Sequence, residues 1–312
     1  MTGGAGFIGS HLVDCLVETG HDIIVVDNFS TGKAKNLSRS SGRRNLQVVK
    51  ADVRKMPRSS VKRLRRIDAV CHLAAATSVQ QSVRDPVFTT EVNLVGTLKV
   101  LEAAKVLKAQ RVVFASSAAV YGKPRAFPIS EDASIRPISP YGASKAASEL
   151  YLGSFAEDHG IDCVSLRYFN VYGPRQTASQ YSGVISIFTK RALSQQPLQI
   201  FGDGSQTRDF VFVSDVVDAT IASLERTHEG GTFNIASGNE TTVLELARVI
   251  QRITGSLTGV EFLPPRTGDI PRSVADTARA KRELGFEART SLADGLSTTI
   301  GWFAHKKRTK RA

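Results

Sequence analysis

Gly3-Gly4-Ala5-Gly6-Phe7-Ile8-Gly9 is the stretch that decides the fold. Its glycines at 3, 6 and 9 follow the spacing G-x-x-G-x-x-G. Glycine lets a turn take positive φ and lets the backbone come close to a phosphate. A helix starting near Phe7 then aims its free amides and the positive end of its dipole at a pyrophosphate. Tight turns are also glycine-rich, so the context carries the reading. Residues 22–27, DIIVVD, read as a buried strand whose last residue lies 18 positions after Gly9. An acid there suits the ribose hydroxyls of NAD and repels the extra phosphate of NADP. NAD is the expected cofactor, although Lys33 and Arg39 follow not far on. Gly3, Gly6, Phe7, Ile8 and Gly9 are the expected pyrophosphate contacts, with Asp27 and Asn28 at the ribose.

Outward from this loop, short apolar runs alternate with helical patterns. Residues 45–49, 68–73 and 111–116 read as further buried strands, and 10–19, 57–65, 86–107 and 140–155 as helices. That alternation predicts an α/β fold, a Rossmann-like doubly wound parallel sheet with helices on both faces and right-handed crossovers. Asp52, after the third strand, suits either the adenine amine or a helix N-cap, with Val53 beside it. Residues 72–76, HLAAA, close the fourth strand with small side chains. Leu73, Ala74 and Ala75 therefore admit either a cofactor or tight packing. The helix at 87–107 is apolar on more than one face, which predicts burial on several sides. With the helix at 140–155 it forms either a dimer seam or a cover for the sheet. After about residue 170 the rhythm loosens. Turn signals stand at 202–204, 230–231 and 264–265, and helices are expected at 183–194, 213–226 and 243–254. We expect domains over 1–170 and 171–312 with an interleaved boundary, the last eight residues forming a basic tail.

The 312 residues suffice for a large core, and 41% are hydrophobic. No apolar run approaches the ~18 residues that span a bilayer, and no secretory signal pattern opens the chain. Cys15, Cys71 and Cys163 lie in apolar segments without metal-ligand or redox spacing. They read as reduced core residues of a cytoplasmic protein, with no metal site. The net charge is +12, concentrated at Arg39, Arg43 and Arg44, at Lys62, Arg63, Arg65 and Arg66, and at 306–311. No nucleic-acid fold motif accompanies it, so solvated surface is expected rather than nucleic acid.

Tyr141-Gly142-Ala143-Ser144-Lys145 puts tyrosine and lysine at i and i+4, on one helix face. Pro140 marks the helix start. A phenol with a pKa near 10 is a poor base at neutral pH. Bringing it to about 7 takes roughly 4 kcal/mol, which a lysine ammonium and a nicotinamide cation are expected to supply. Ser116-Ser117 ends the preceding strand, and in doubly wound sheets such carboxyl ends line the ligand crevice.

With the segments SAAVYG (117–122) and RYFN (167–170), these motifs resemble an extended short-chain dehydrogenase/reductase. The likeness is closest to the UDP-glucose 4-epimerase group of the NAD-dependent epimerase/dehydratases. It runs from residue 2 to about 300 in the family's motif order. The resemblance implies Tyr141 as acid/base at the sugar 4-hydroxyl, Lys145 on the nicotinamide ribose and Ser117 as proton partner. It implies Tyr168 and Asn93 at the nicotinamide. Asn170, Arg208 and Arg266 would hold the UDP diphosphate, Asp269 the uridine ribose, and Phe201 would lie near the uracil. Forked arginines suit a diphosphate. The implied reaction is NAD-dependent 4-epimerisation of a UDP-hexose, UDP-glucose and UDP-galactose, in a homodimer joined through 87–107 and 140–155. Related dehydratases and decarboxylases carry an acid shortly after the catalytic serine or threonine; here Ala118 and Ala119 stand there. The alternatives are another nucleotide-sugar dehydratase, reductase or epimerase of the family, or a non-catalytic dinucleotide-binding protein.

The chain departs from the family at several places. Thr77 replaces a lysine near the cofactor, and Gly183 an asparagine of the sugar pocket. Ser273 replaces a bulky tyrosine, leaving room for N-acetyl sugars. Only Met1 and Thr2 precede the glycine loop, where relatives carry a whole strand. Either the start is placed too late or the sheet lacks its middle strand. The expectation is a weaker, less stable NAD site than in a form extended upstream.

Overall fold

The computed structural model describes residues 1–55, 67–177, 183–225, 230–265 and 268–308. The expected helix at 57–65, Arg266 and the end of the basic tail lie outside them. The apolar runs form one large parallel sheet. β1 (Ile23–Asp27) pairs with β2 (Leu46–Lys50). β3 (Ala69–His72), β4 (Arg111–Ser117), β5 (Asp162–Tyr168) and β9 (Gly231–Ile235) pair in that order. β-Branched residues suit a strand covered on both faces, and Val112, Val113 and Val164 are buried.

At the centre of the sheet the start of the chain pairs on both sides. Thr2 bridges Val26 on one side and His72 on the other, both parallel. Its N–H donates to the Cys71 carbonyl, and the Gly3 N–H to the Val26 carbonyl, each at 2.9 Å. The Met1 ammonium donates to the Ile24 carbonyl at 2.7 Å. Thr2 thus joins the β1–β2 ribbon to the four strands beyond it.

Helix α1 (Phe7–Glu18) lays Leu12 and Leu16 on one face of the sheet, beside Val216 and Val217 of α7 (Val213–Glu225). The other face carries Val100 and Leu101 of α4 (Gly96–Val106) and Leu152 of α5 (Pro140–His159). Before α4 come α2 (Val79–Arg84) and α3 (Pro86–Thr90), and a π turn over Glu91–Val95 fuses α3 to α4. α5 starts as its sequence dictates. Ser139 accepts from the Gly142 N–H, Pro140 takes the first turn, and Gly160 ends the helix at φ +62°. The helix at 87–107 is not buried on several sides within this chain: Val87 is 68% and Val95 40% exposed, and Leu150 of α5 is 71% exposed.

The second half builds two small sheets. β8 (Thr207–Phe212) pairs with β10 (Glu240–Thr242) and β6 (Asn170–Tyr172), and β7 (Leu198–Phe201) with β11 (Val260–Leu263). Their core joins α6 (Val184–Leu193), α8 (Val243–Thr254) and α9 (Leu292–Arg308) through Phe188, Leu198, Leu246, Ile250 and Leu296. The chain returns to the large sheet with α7 and β9, so the two halves interleave.

Candidate active site

The glycine loop is shaped by contacts that only glycine survives. At Gly3, φ is +72° and an added Cβ would lie 2.6 Å from the Ala74 nitrogen. At Gly9 it would lie 2.3 Å from the Gly3 carbonyl oxygen. No side chain caps α1 behind Gly6. The first amides of the helix, at Phe7 and Ile8, thus open a cradle suited to a pyrophosphate. Asp27 is buried at the tip of β1, where Oδ2 accepts the Ala5 N–H at 2.9 Å and Oδ1 the Phe29 N–H at 2.8 Å. These bonds fix the carboxylate beside the loop, the place a ribose diol requires. Asn28 donates to Asp52 at 3.1 Å. Asp52 also takes the Arg54 guanidinium and N–H, and the Arg54 hydrogen bond holds its carboxyl far below the usual range. Asp52 thus acts as the local cap, with Val53 buried behind it. Leu73 N–H donates to the Thr2 carbonyl at 3.1 Å, and the chain then runs through Ala74 and Ala75 against Gly3. The cradle, the anchored acid and the small residues fit a dinucleotide.

Asn93 is spent differently from the expectation. Its amide donates to the Ala76 carbonyl at 3.1 Å and to Ser144 Oγ at 3.0 Å, and its oxygen accepts the Ala76 N–H at 2.7 Å. It braces the HLAAA segment against α5 instead of presenting a free amide. The π turn is what aims it inward.

Tyr141 and Lys145 stand on the first turns of α5, over the end of β4. Ser117 Oγ accepts the Ala119 N–H at 3.2 Å. Ser117 also stands close enough to Tyr141 to act on its phenol. Burial pushes the Tyr141 phenol above its ordinary value, and the Ser117 bond returns only part of that. Lys145 Nζ donates to the Ala115 carbonyl at 2.7 Å and lies 4.6 Å from the Phe114 ring centroid. Burial pulls its pKa down to about 7, against Glu149.

Tyr168 is not brought to this group. Its hydroxyl bonds Thr220 Oγ1 at 2.9 Å, and its ring joins Leu166 and Val216 on the α7 face. The next residue, Phe169, packs against Ala146 of α5 and Tyr121. Strand alternation carries the signal: Arg167 and Phe169 share the α5 face, and Tyr168 takes the other.

Of the expected substrate residues, Asn170 and Arg208 lie on the paired strands β6 and β8. Asn170 Nδ2 donates to the Asp209 carbonyl at 3.2 Å. Arg208 donates to Asp269 at 2.5 Å and to the Ile270 carbonyl at 2.6 Å. Phe201, at the end of β7, is half-buried, and its carbonyl accepts from Gln206. Ser273 is buried on the segment that meets both residue 129 and Asp209. Asp209, fully buried, accepts from Ser237, Gly238 and Ala275 and so holds this wall together.

Residues 1–236 match the family described as NAD dependent epimerase/dehydratase. A UDP-glucose 4-epimerase of Mycolicibacterium smegmatis is 41% identical, with 98% of each chain covered. A solved UDP-glucose 4-epimerase of Thermotoga maritima, with UDP-glucose, is 40% identical at a TM-score of 0.92, with 98% of each chain covered. A UDP-N-acetylglucosamine 4-epimerase of Methanobrevibacter ruminantium, in complex with UDP-N-acetylmuramic acid, is 39% identical. Its TM-score is 0.93, with 98% of this chain and 97% of that one covered. Loop, acid, tyrosine–lysine helix and whole-chain likeness agree: the chain belongs to the NAD-dependent epimerase/dehydratase family.

Proposed function

We propose that this protein interconverts the C4 epimers of UDP-hexoses, UDP-glucose and UDP-galactose, and accepts their N-acetyl forms. Membership of the family and the epimerases it resembles make it an isomerase of nucleotide sugars with NAD as cofactor. The finer reading rests on one observation: Tyr141 and Lys145 of α5 stand over Ser117 at the end of β4, and Ala118 and Ala119 follow Ser117 where the related dehydratases and decarboxylases carry an acid. An elimination needs a further acid/base group there; oxidation and re-reduction at C4 do not.

When bound, NAD supplies the hydride acceptor and donor at C4. Tyr141 accepts the proton of the 4-hydroxyl and returns it after the 4-keto sugar has turned over. Ser117 bridges that hydroxyl and the phenol. Lys145 holds the tyrosinate by charge. Arg208, released from Asp269 by the incoming diphosphate, anchors the UDP end with Asn170. Remote anchoring leaves the sugar free to rotate. Buried Ser273 is small enough to leave space for an acetamido group, as in a relative named for UDP-N-acetylglucosamine. The exposed apolar stripe of α3, α4 and α5 is the surface through which two copies pair.

The test is incubation of the pure protein with UDP-glucose, UDP-galactose and their N-acetyl analogues, without added reductant. The 4-epimers should appear with no net NADH. Loss of water or carbon dioxide from the sugar, or no turnover of any of the four, overturns this function.

A further inference from the structure

Tyr141, Lys145 and Glu149 recur every four residues on α5 and therefore share one face. Glu149 is buried in the middle of a network. Arg167 grips it with Nε at 3.0 Å from Oε1 and Nη2 at 2.7 Å from Oε2, and both side chains are about one-twentieth exposed. The Ser116 hydroxyl, one residue before Ser117, donates to Oε1. Arg167 continues with Nη1 to the Tyr121 hydroxyl at 2.9 Å and to the Glu131 carbonyl at 2.8 Å. Tyr121 in turn donates to Asn234 on β9 at 2.6 Å. The network thus threads SAAVYG, RYFN and the helix of Tyr141 on one carboxylate.

We propose that Glu149 is a positioning residue for the Tyr141–Lys145 pair: clamped by Arg167 and Ser116, it fixes α5 against β4 and β5 and balances the charge around Lys145. This rests on the reading above that Tyr141 and Lys145 carry the proton transfer. A buried ion pair contributes little net stability compared with apolar packing, so structural support alone does not account for it. The groups around Lys145 define the balance. Its own helix supplies Tyr141 and Glu149, β5 supplies Arg167, and β4 the Ala115 carbonyl and Ser117. β3 supplies His72, which burial keeps neutral with a pKa of about 3. Glu149 is the one acid among the described residues that acts on Lys145, and it works against the burial that pulls the lysine down to about 7. Arg167 cancels its charge at longer range.

The sign of the effect follows. Glu149→Gln removes a negative charge and leaves Arg167 uncompensated. The Lys145 ammonium then loses its proton at lower pH, and the uncompensated Arg167 charge favours the tyrosinate in the same direction. Glu149→Gln with Arg167→Gln removes both charges and moves the two titrations back. Two measurements test this. The pH profile of kcat should shift acidward by about one unit in the single variant, roughly tenfold in rate along each limb. It should return toward wild type in the double variant. An NMR titration of 13C-lysine-labelled protein, with Lys145 assigned by its loss in Lys145→Ala, should show the same displacement without any turnover. A single variant that loses activity equally at all pH values, with an unmoved Lys145 titration, overturns the proposal. Absence of epimerase activity in the wild type refutes the functional reading instead, and leaves the titration to decide the role of Glu149.

Discussion

His72 sits at the end of β3 with both ring nitrogens engaged and its side chain buried. Thr97 donates its hydroxyl proton to the Asn93 carbonyl, so its oxygen accepts from His72 Nε2 at 3.0 Å. Nδ1 then accepts from Thr2 Oγ1 at 2.6 Å, and the ring is the neutral Nε2–H tautomer. Burial holds the folded pKa near 3, against about 6.5 unfolded. The unfolded chain therefore binds the extra proton first, and stability falls as pH drops from about 6.5 toward 3, by about 1.4 kcal/mol per pH unit. Denaturant titrations across that range should show the slope, and His72→Gln should remove it. At the chemical centre, Tyr141→Phe should lower kcat by about 10²–10⁴-fold with cofactor content unchanged; assays of both quantities check this. Ser273→Tyr should abolish turnover of the N-acetyl sugars while sparing UDP-glucose, as a comparison of kcat/KM for the two substrates will show. Residue identity was readable where a motif fixes the chemistry, as at Tyr141 and Asp27. It was not readable at Asn93 or Glu149, whose partners come from other strands and helices.

Among the elements, the run from α3 to α4 departs most from its sequence reading. Apolar residues all round predicted burial, and one face of the run is open. The π turn at Glu91–Val95 explains part of the pattern, because its extra residue rotates the helix and turns Asn93 inward. Gly96 follows, and an added Cβ there would meet Val53 Cγ2 at 2.9 Å, so the helix lies tight over the short turn that follows β2. The exposed valines at 79, 83, 87 and 95, with Leu150 and Tyr151 of α5, form the remaining stripe. Large apolar patches on a surface mark association. Leu150→Glu should convert a dimer to a monomer in sedimentation velocity; an unchanged mass would place the interface elsewhere. The strands were legible within a residue or two because their β-branched runs have no other use. The stripe was ambiguous because periodicity reports an apolar face without saying whether its partner is the same chain or another.

Across the whole molecule, charge is distributed very unevenly. Residues 29–66 hold 13 of the 41 Lys and Arg residues and one of the 29 acids, and the remaining 28 and 28 cancel. Lys33, Lys50 and Lys55 of this stretch are exposed near the tips of β1 and β2, beside Asn28 and Asp52. A concentrated field of one sign draws an anionic ligand toward its site. The association rate of NAD should fall steeply as salt rises from about 0.01 to 0.1 M, over which the Debye length shrinks from about 30 to 10 Å. Stopped-flow fluorescence will show it, and a flat dependence would remove steering from the account. Alternation of strands and helices made this architecture legible from the start of the chain. The interleaving was legible only as a loose rhythm, because β9 is short and its place beside β5 is set by long-range packing. The bridge at Thr2 carries a mechanical meaning as well. The expected adenosine contacts lie on the β1–β2 ribbon, and the tyrosine–lysine helix on the strands beyond Thr2. A bound dinucleotide would therefore lace the β1–β2 ribbon to the strands beyond Thr2. Filling the site should quieten hydrogen exchange in β1 and β3 together, so that the cofactor works as a suture for the sheet as well as a partner in its chemistry.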